Sequence, residues 1–312
     1  MNAPAGPVAE AIASVYWILF FFAIVVLVIV DGALIYAGIK FRERPGISAK
    51  QFHGHNMLEL TWTVIPTVMV LSFSLISFQR LLFINDVSTN AEMTINVVAQ
   101  QWTWNFTYPD EPAFKLSDGT PLTDAEELHI PANTKVRLEL SSKDVIHSFW
   151  VPLIGGKKDA VPGRATDLWI QANQPGTYKG QCFEFCGRGH ADMLITLVVH
   201  SKPDYATWQR DAVAHANLFN DPATKTGKEL FRTLACSGCH TIKGLTGGKV
   251  GPELTHIASK PNIAGVLSPV TGENLQKWIA NPSANKPGTL MPTLGLPADQ
   301  IDAIVKFLLT QK

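Results

Sequence analysis

The 312-residue sequence predicts a multi-domain membrane protein: a two-helix transmembrane hairpin, a β-sandwich or barrel, and a C-terminal all-α domain. Three observations carry that expectation. Two long apolar stretches fill the first 90 residues. Short apolar runs broken by Pro, Gly and Asn occupy about 91–200. Helical periodicity then flanks a Cys-x-x-Cys-His motif between 220 and 312. Net charge is zero, so the overall balance says nothing about partners, and no nucleic-acid partner is expected. The four cysteines fall into two pairs with other chemistry to do, which argues against a disulfide-stapled fold.

The hairpin, residues 1–90, comes first. Between Glu10 and Lys40 only Asp31 is charged, and the residues from Glu59 to Arg80 enclose a stretch with no formal charge. Helices over about 15–39 and 59–82 each approach the roughly 20 apolar residues needed to cross a bilayer. A signal peptide would need a basic start, yet no Lys or Arg precedes Lys40. The connecting loop holds Lys40, Arg42, Arg44 and Lys50 against Glu43, which places it in the cytoplasm and everything after Arg80 outside. Ionisable groups at membrane depth are costly and often functional. Asp31 reads as facing a partner subunit or a polar pocket, and Glu59 as an interfacial carboxylate at a helix N-terminus.

In residues 91–200, the segments Thr94–Ala99 and Lys135–Leu140 alternate as half-buried strands do, while Leu194–Val199 is nearly all apolar. Gln101-Trp102-Thr103-Trp104-Asn105-Phe106 sets aromatics on alternate residues, with Trp104 and Phe106 expected in the core. The densest chemistry lies in Gly180-Gln181-Cys182-Phe183-Glu184-Phe185-Cys186-Gly187-Arg188-Gly189-His190-Ala191-Asp192-Met193. Thiolate, imidazole and thioether together select copper over hard cations. Zinc sites pair cysteines more closely and have no use for a thioether. A disulfide is the remaining bland reading. The loop lacks a ligand from elsewhere, and His147 at the end of a β-like run is the candidate.

Residues 201–219 read as a linker, with a short helical stretch at Tyr205–Trp208 inside a tether that runs from Asp204 to about Asn220. In 220–312, Cys236-Ser237-Gly238-Cys239-His240 is the covalent c-type haem signature, both thiols adding to the porphyrin and His240 ligating iron. Thioredoxin-like use of the pair leaves His240 without a reason. Met291 is the only methionine after Met193 and a natural sixth ligand, giving a His/Met pair of raised potential. Flanking helices are expected at Thr226–Leu234 and Ala298–Leu308, the latter apolar at 301, 304, 305 and 308. His256 reads as a surface or loop histidine.

The spacing Cys182-x-Glu184-x-Cys186-x3-His190-x2-Met193, with His147 upstream, resembles the binuclear CuA site of cytochrome c oxidase subunit II. The resemblance spans nearly the whole chain and, with the haem motif, points to the caa type, with a fused class I cytochrome c. It implies a cupredoxin-like Greek-key sandwich. It also implies two coppers bridged by Cys182 and Cys186, with His147, His190, Met193 and the Glu184 carbonyl completing the set. The Glu184 carboxylate would face a magnesium site shared with subunit I. Trp102 would be the electron entry aromatic, and Leu153–Arg164 the loop facing subunit I. Leu58–Pro66 resembles the start of the family's second helix, which puts Glu59 at the mouth of the K proton channel. Implied partners are oxidase subunits I and III, membrane lipid, and a donor such as cytochrome c, a high-potential iron–sulfur protein or another respiratory complex, with membership of a respiratory supercomplex left open. The implied location is the bacterial cell (inner) membrane. A quinol oxidase subunit II would lack the copper ligands, and nitrous oxide reductase would need a propeller domain. A nitric oxide reductase with a CuA subunit is the nearer rival, and Glu59 favours the proton-conducting, oxygen-reducing complex.

The charge is distributed unevenly. Residues 91–200 hold 13 acidic and 9 basic residues, and residues 218–312 hold 6 acidic and 10 basic. Opposite signs would steer one domain onto the other, and a tether raises their effective concentration.

Overall fold

The computed structural model describes residues 4–46, 53–109, 121–215 and 222–312. Lys50 and residues 216–219 of the expected linker lie outside that description. The chain divides into two compact units, one holding Glu10–Asp86 and the other Val87–Lys312 together with the residues just before Glu10.

The first unit is a helical hairpin. Helix α1 runs Pro7–Lys40 and α2 runs Asn56–Asn85. Both are longer than the apolar stretches alone indicate. Pro7 opens α1 where its missing N–H costs nothing, and alanine-rich turns carry it to the apolar run. The His55 ring caps α2 by accepting from Leu58 N at 3.2 Å. No residue of α2 is buried, as expected of a surface made for lipid. Phe22 and Phe73 meet edge to face between the helices, with centroids 4.9 Å apart. Hydroxyls of Thr61, Thr63 and Thr67 turn back to carbonyls one turn earlier and so are satisfied without water.

In the second unit, ten strands form two five-stranded sheets. One holds β3 (Thr123–Ala125), β2 (Thr103–Thr107), β1 (Met93–Gln100), β5 (Val136–Ser142) and β8 (Thr166–Ile170) in that order. The other holds β4 (Glu127–Pro131), β10 (Leu194–His200), β9 (Gly176–Cys182), β6 (His147–Trp150) and β7 (Lys158–Ala160). The β1–β5 and β4–β10 pairs are parallel and the other ladders antiparallel, so the chain crosses between sheets as in a Greek key. Alternation decides the core: Met93, Ile95, Val97 and Ala99 point inward from β1, facing Val136, Leu138 and Leu140 of β5. Trp104, Phe106 and Phe149 fill the space between the sheets, each worth roughly 1.5–3 kcal/mol of burial. Ala5 ties the chain's start to this core, its N–H reaching Leu153 O at 2.7 Å.

Helix α3, Lys202–His215, is longer than the short helical stretch expected in a tether. Tyr205 and Ala212 are buried, and Trp208 stacks on His129 at 4.2 Å, so the helix packs as part of the sandwich. Beyond it, α4 (Lys225–Thr233), α5 (Cys236–Cys239), a two-stranded β11–β12 ribbon (Thr241–Ile242 and Thr246–Gly247), α6 (Gly272–Ala280), α7 (Pro282–Asn285) and α8 (Ala298–Leu308) enclose a second core. Helices α4 and α8 cross at Gly227, where any Cβ would strike the Ala303 backbone, and Phe231 meets Phe307 beside that crossing. Thr271 caps α6 by accepting from Asn274 N at 3.2 Å.

Candidate functional site

Three neighbouring strand ends of the second sheet converge at one edge. β9 ends on Cys182, β6 begins on His147, and Met193 immediately precedes β10. Between Cys182 and Met193 the loop folds back through Gly187, at φ 109°, and a 3-10 turn at His190–Asp192. All the donors named from the sequence meet there. The Cys182 and Cys186 sulfurs are 3.8 Å apart, well beyond the 2.05 Å or so of a disulfide. Cys182 Sγ lies 3.9 Å from His147 Nδ1 and 3.3 Å from the Glu184 carbonyl oxygen. Cys186 Sγ lies 3.6 Å from His190 Nδ1 and 3.9 Å from Met193 Sδ. Two central sulfurs, each flanked by one imidazole and one weaker donor, suit a pair of soft ions bridged by thiolates.

The two thiols and the imidazole are electrostatically coupled. The hydrogen bond between the thiols brings Cys182 down to about 3, with burial opposing and His147 helping, and the same contact pushes Cys186 well up. One proton is thus shared by the pair. Burial lowers His147, but hydrogen bonds to Cys182 and Asp144 outweigh it and raise the imidazole. Asp144 was not identified from the sequence. Its Oδ1 is 2.9 Å from His147 Nε2, leaving Nδ1 towards the sulfurs, while Oδ2 accepts from Gln101 N at 2.7 Å. Its position three residues before His147 was the available signal.

Trp102 stands against the loop. Its Nε1 donates to the Cys186 carbonyl at 2.9 Å, and Gln101 Nε2 donates to the same oxygen at 2.7 Å. Gly189 lies so close that a Cβ there would enter the indole ring. Trp104 and Phe106 are fully buried, as their alternation indicates.

The second constellation lies in the C-terminal domain. Cys236, Cys239, His240 and Met291 line one cavity of about 200 Å³, walled by Leu275, Trp278 and Ile304 among other apolar residues. His240 Nδ1 is 2.9 Å from the Pro252 carbonyl, which leaves Nε2 for iron. Gly251 presses on the His240 ring, so no side chain fits there. Thiols on one turn, an oriented imidazole and a thioether in an apolar pocket fit a covalently held haem. Gln101, Trp102 and Glu126 of the sandwich line the same cavity, so it opens against the Trp102 side of the first site.

Glu59 sits in the other unit, in the first turn of α2, and its Oε1 accepts from His55 N at 3.2 Å. A carboxylate near the helix N-terminus is what the sequence leads one to expect there. Asp31 lies within α1. His256 lies in a turn, as a loop histidine would, but it is buried there, with Nε2 3.0 Å from the Ala212 carbonyl of α3. Packing of α3 against the C-terminal domain covers it.

Comparison with known proteins agrees with this layout. The family model described as cytochrome c oxidase subunit II, periplasmic domain, matches residues 93–201, and its transmembrane-domain counterpart matches residues 1–80. The cytochrome c family model matches residues 224–312. The chain is 33% identical over 281 residues to a cytochrome c oxidase subunit 2 of Alkalihalophilus pseudofirmus, covering 88% of this chain and 79% of that one. It is 32% identical over 295 residues to the cytochrome c oxidase subunit 2 of a Bacillus species, covering 87% and 80%. The solved periplasmic domain of subunit II from Bradyrhizobium japonicum is 31% identical, covers 39% of this chain and 94% of its own, and superposes with a TM-score of 0.36.

Proposed function

The chain belongs to the cytochrome c oxidase subunit II family, and from that premise we propose which residues carry its electrons. As subunit II of a haem-copper oxidase, it joins two membrane-spanning helices to a cupredoxin-like domain and a cytochrome c domain on the periplasmic side. These families imply CuA copper and haem c. In our reading His147, Cys182, Cys186, His190, Met193 and the Glu184 carbonyl hold the two coppers. Cys236, Cys239, His240 and Met291 would hold the haem. When bound, the two groups would supply reversible one-electron chemistry, on a route that would lead from the donor through the His240 and Trp102 side to the sulfur site and on to subunit I, where oxygen would be reduced.

The chain's own residues set the conditions for that transfer. Asp144 fixes the His147 ring, the Pro252 carbonyl fixes the His240 ring, and apolar walls exclude water from the haem cavity. Trp102 bridges the haem cavity and the Cys186 backbone, and we assign it as the entry aromatic. The Glu184 carboxylate is assigned to a magnesium site shared with subunit I, and Glu59 to the entrance of the proton path. Subunits I and III are the expected partners in the bacterial cell (inner) membrane, and cytochrome c or another high-potential carrier the expected donor.

The observation that carries this reading is the meeting of six donor groups, drawn from β6, β9 and the loop before β10, around two sulfurs 3.8 Å apart. Metal counting with visible and near-infrared spectra of the purified full chain tests it. Two coppers and one haem per chain are expected; a single zinc with no near-infrared absorption would overturn it. Oxygen uptake should belong to the assembled complex and be absent from this chain alone.

A further inference from the structure

The sandwich and the cytochrome domain meet along a seam with Lys260 buried in it. Lys260 follows the 3-10 turn Ile257–Ser259 of the cytochrome domain and is 7% exposed. Its ammonium donates to Asp124 of β3 and, at 3.2 Å, to Glu127 of β4, both in the sandwich. The carboxylates hold Lys260 charged and raise it despite burial, and Lys260 with the nearby histidines lowers Asp124 against its own burial. Around this pair the seam is closed by weaker links. Gln100 Nε2 donates to the Val250 carbonyl at 3.1 Å, Lys143 Nζ to the Lys249 carbonyl at 3.1 Å, and His256 Nε2 meets the Ala212 carbonyl. Asp124, Glu253 and His256 also approach one another at the spacing of a cation site. The Lys260 ammonium already sits on Asp124, so the chain supplies that cation itself.

A buried ion pair adds little net stability, because desolvation offsets the attraction. Its energetic force is selective. Any docked pose that separates Lys260 from Asp124 and Glu127 leaves buried charges unpaired, which is the expensive outcome. The one pose that satisfies all three also brings the cavity of Cys236, Cys239, His240 and Met291 against Gln101 and Trp102.

We propose that Lys260 is a positioning residue for electron transfer: by bridging Asp124 and Glu127 it locks the cytochrome domain in the pose that sets the haem cavity against Trp102. Transfer between the domains then occurs at a fixed distance and needs no diffusional search. This rests on the electron route assigned above. Because the pair is buried, the wild-type step should vary little with salt, whereas domains left to find each other through surface charge would respond strongly.

The test uses the assembled oxidase. Haem c is photoreduced and its reoxidation followed with the near-infrared band of CuA, in wild type, Lys260→Met and Lys260→Arg. Hydrogen exchange at 123–127 reports the seam directly. Lys260→Met should slow the interdomain phase by about tenfold or more, because the docked pose loses its pairing. It should also make the phase salt-dependent and remove exchange protection, with both metal spectra unchanged. Lys260→Arg should restore most of the rate. Unchanged rate with retained protection overturns the proposal. Lost protection with an unchanged rate upholds the latch and overturns the electron route instead. If Lys260→Met does not assemble, Glu127→Gln decides from the other side of the pair: a slowed, salt-dependent phase supports the latch, and an unaltered one overturns it.

Discussion

The indole N–H of Trp102 points at the backbone carbonyl of Cys186, 2.9 Å away, so the aromatic is bonded directly to the loop that carries the sulfur ligands. Gln101 Nε2 shares that oxygen, so Trp102→Phe leaves the carbonyl satisfied and should cost under about 1 kcal/mol of stability. Copper content should be unchanged. The interdomain electron-transfer phase should slow, as read by transient spectroscopy of the complex; an unaltered phase would place the entry point elsewhere.

Asp144 orients the His147 ring and is not itself among the proposed ligands. Replacing such a partner typically lowers metal affinity by about 10–100-fold. Asp144→Asn should therefore release copper earlier in a chelator titration, with two ions still bound at saturation. Titration curves that superimpose on wild type would reduce Asp144 to a surface acceptor.

Met291 is half-buried in the haem cavity, so Met291→Ala should cost at most about 2 kcal/mol through packing. The spectral consequence is larger. Loss of the thioether should abolish the His/Met low-spin signature in the visible spectrum of the full chain. Retention of that signature would mean another group closes the sixth position.

Burial pushes Glu253 up to about 8, against hydrogen bonds from Thr255. The folded protein therefore keeps a proton that the unfolded chain releases above 4.5. Stability from this group is full below that value and declines as pH rises through about 8. Thermal midpoints should fall between about pH 4.5 and pH 8 and level off above that, and Glu253→Gln should flatten the slope. An equal slope in the variant would assign the loss to other groups.

Glu59→Gln keeps the size and the capping oxygen while removing the charge. Oxygen consumption by the complex should slow with the haem c to CuA phase untouched. Full turnover would withdraw the proton role assigned to Glu59.

How much of this was legible in the sequence follows from how far apart the interacting residues are. The sulfur ligands lie within a dozen residues, and the haem thiols within one turn, so spacing alone exposed them. Strand alternation gave away β1 and β5 in the same local way. His147 was legible only as a candidate for a ligand from elsewhere, because only the pairing of β6 with β9 brings it to Cys182. The seam left no local trace: Lys260 is 136 residues from Asp124 in sequence, and a lone lysine reads as solvated until its partners are known. His256 and α3 were misjudged for the same reason, since each is buried by a neighbour that no local pattern names.

The crossing of α4 and α8 has a reach beyond packing. With Gly227 replaced by anything larger, the two helices must part, and they carry Phe231 and Ile304 of the haem cavity wall. Water admitted there would raise the local dielectric and drag the iron's potential away from its working value. A methyl group placed remote from every proposed ligand would thus disturb the cavity we assign to the haem.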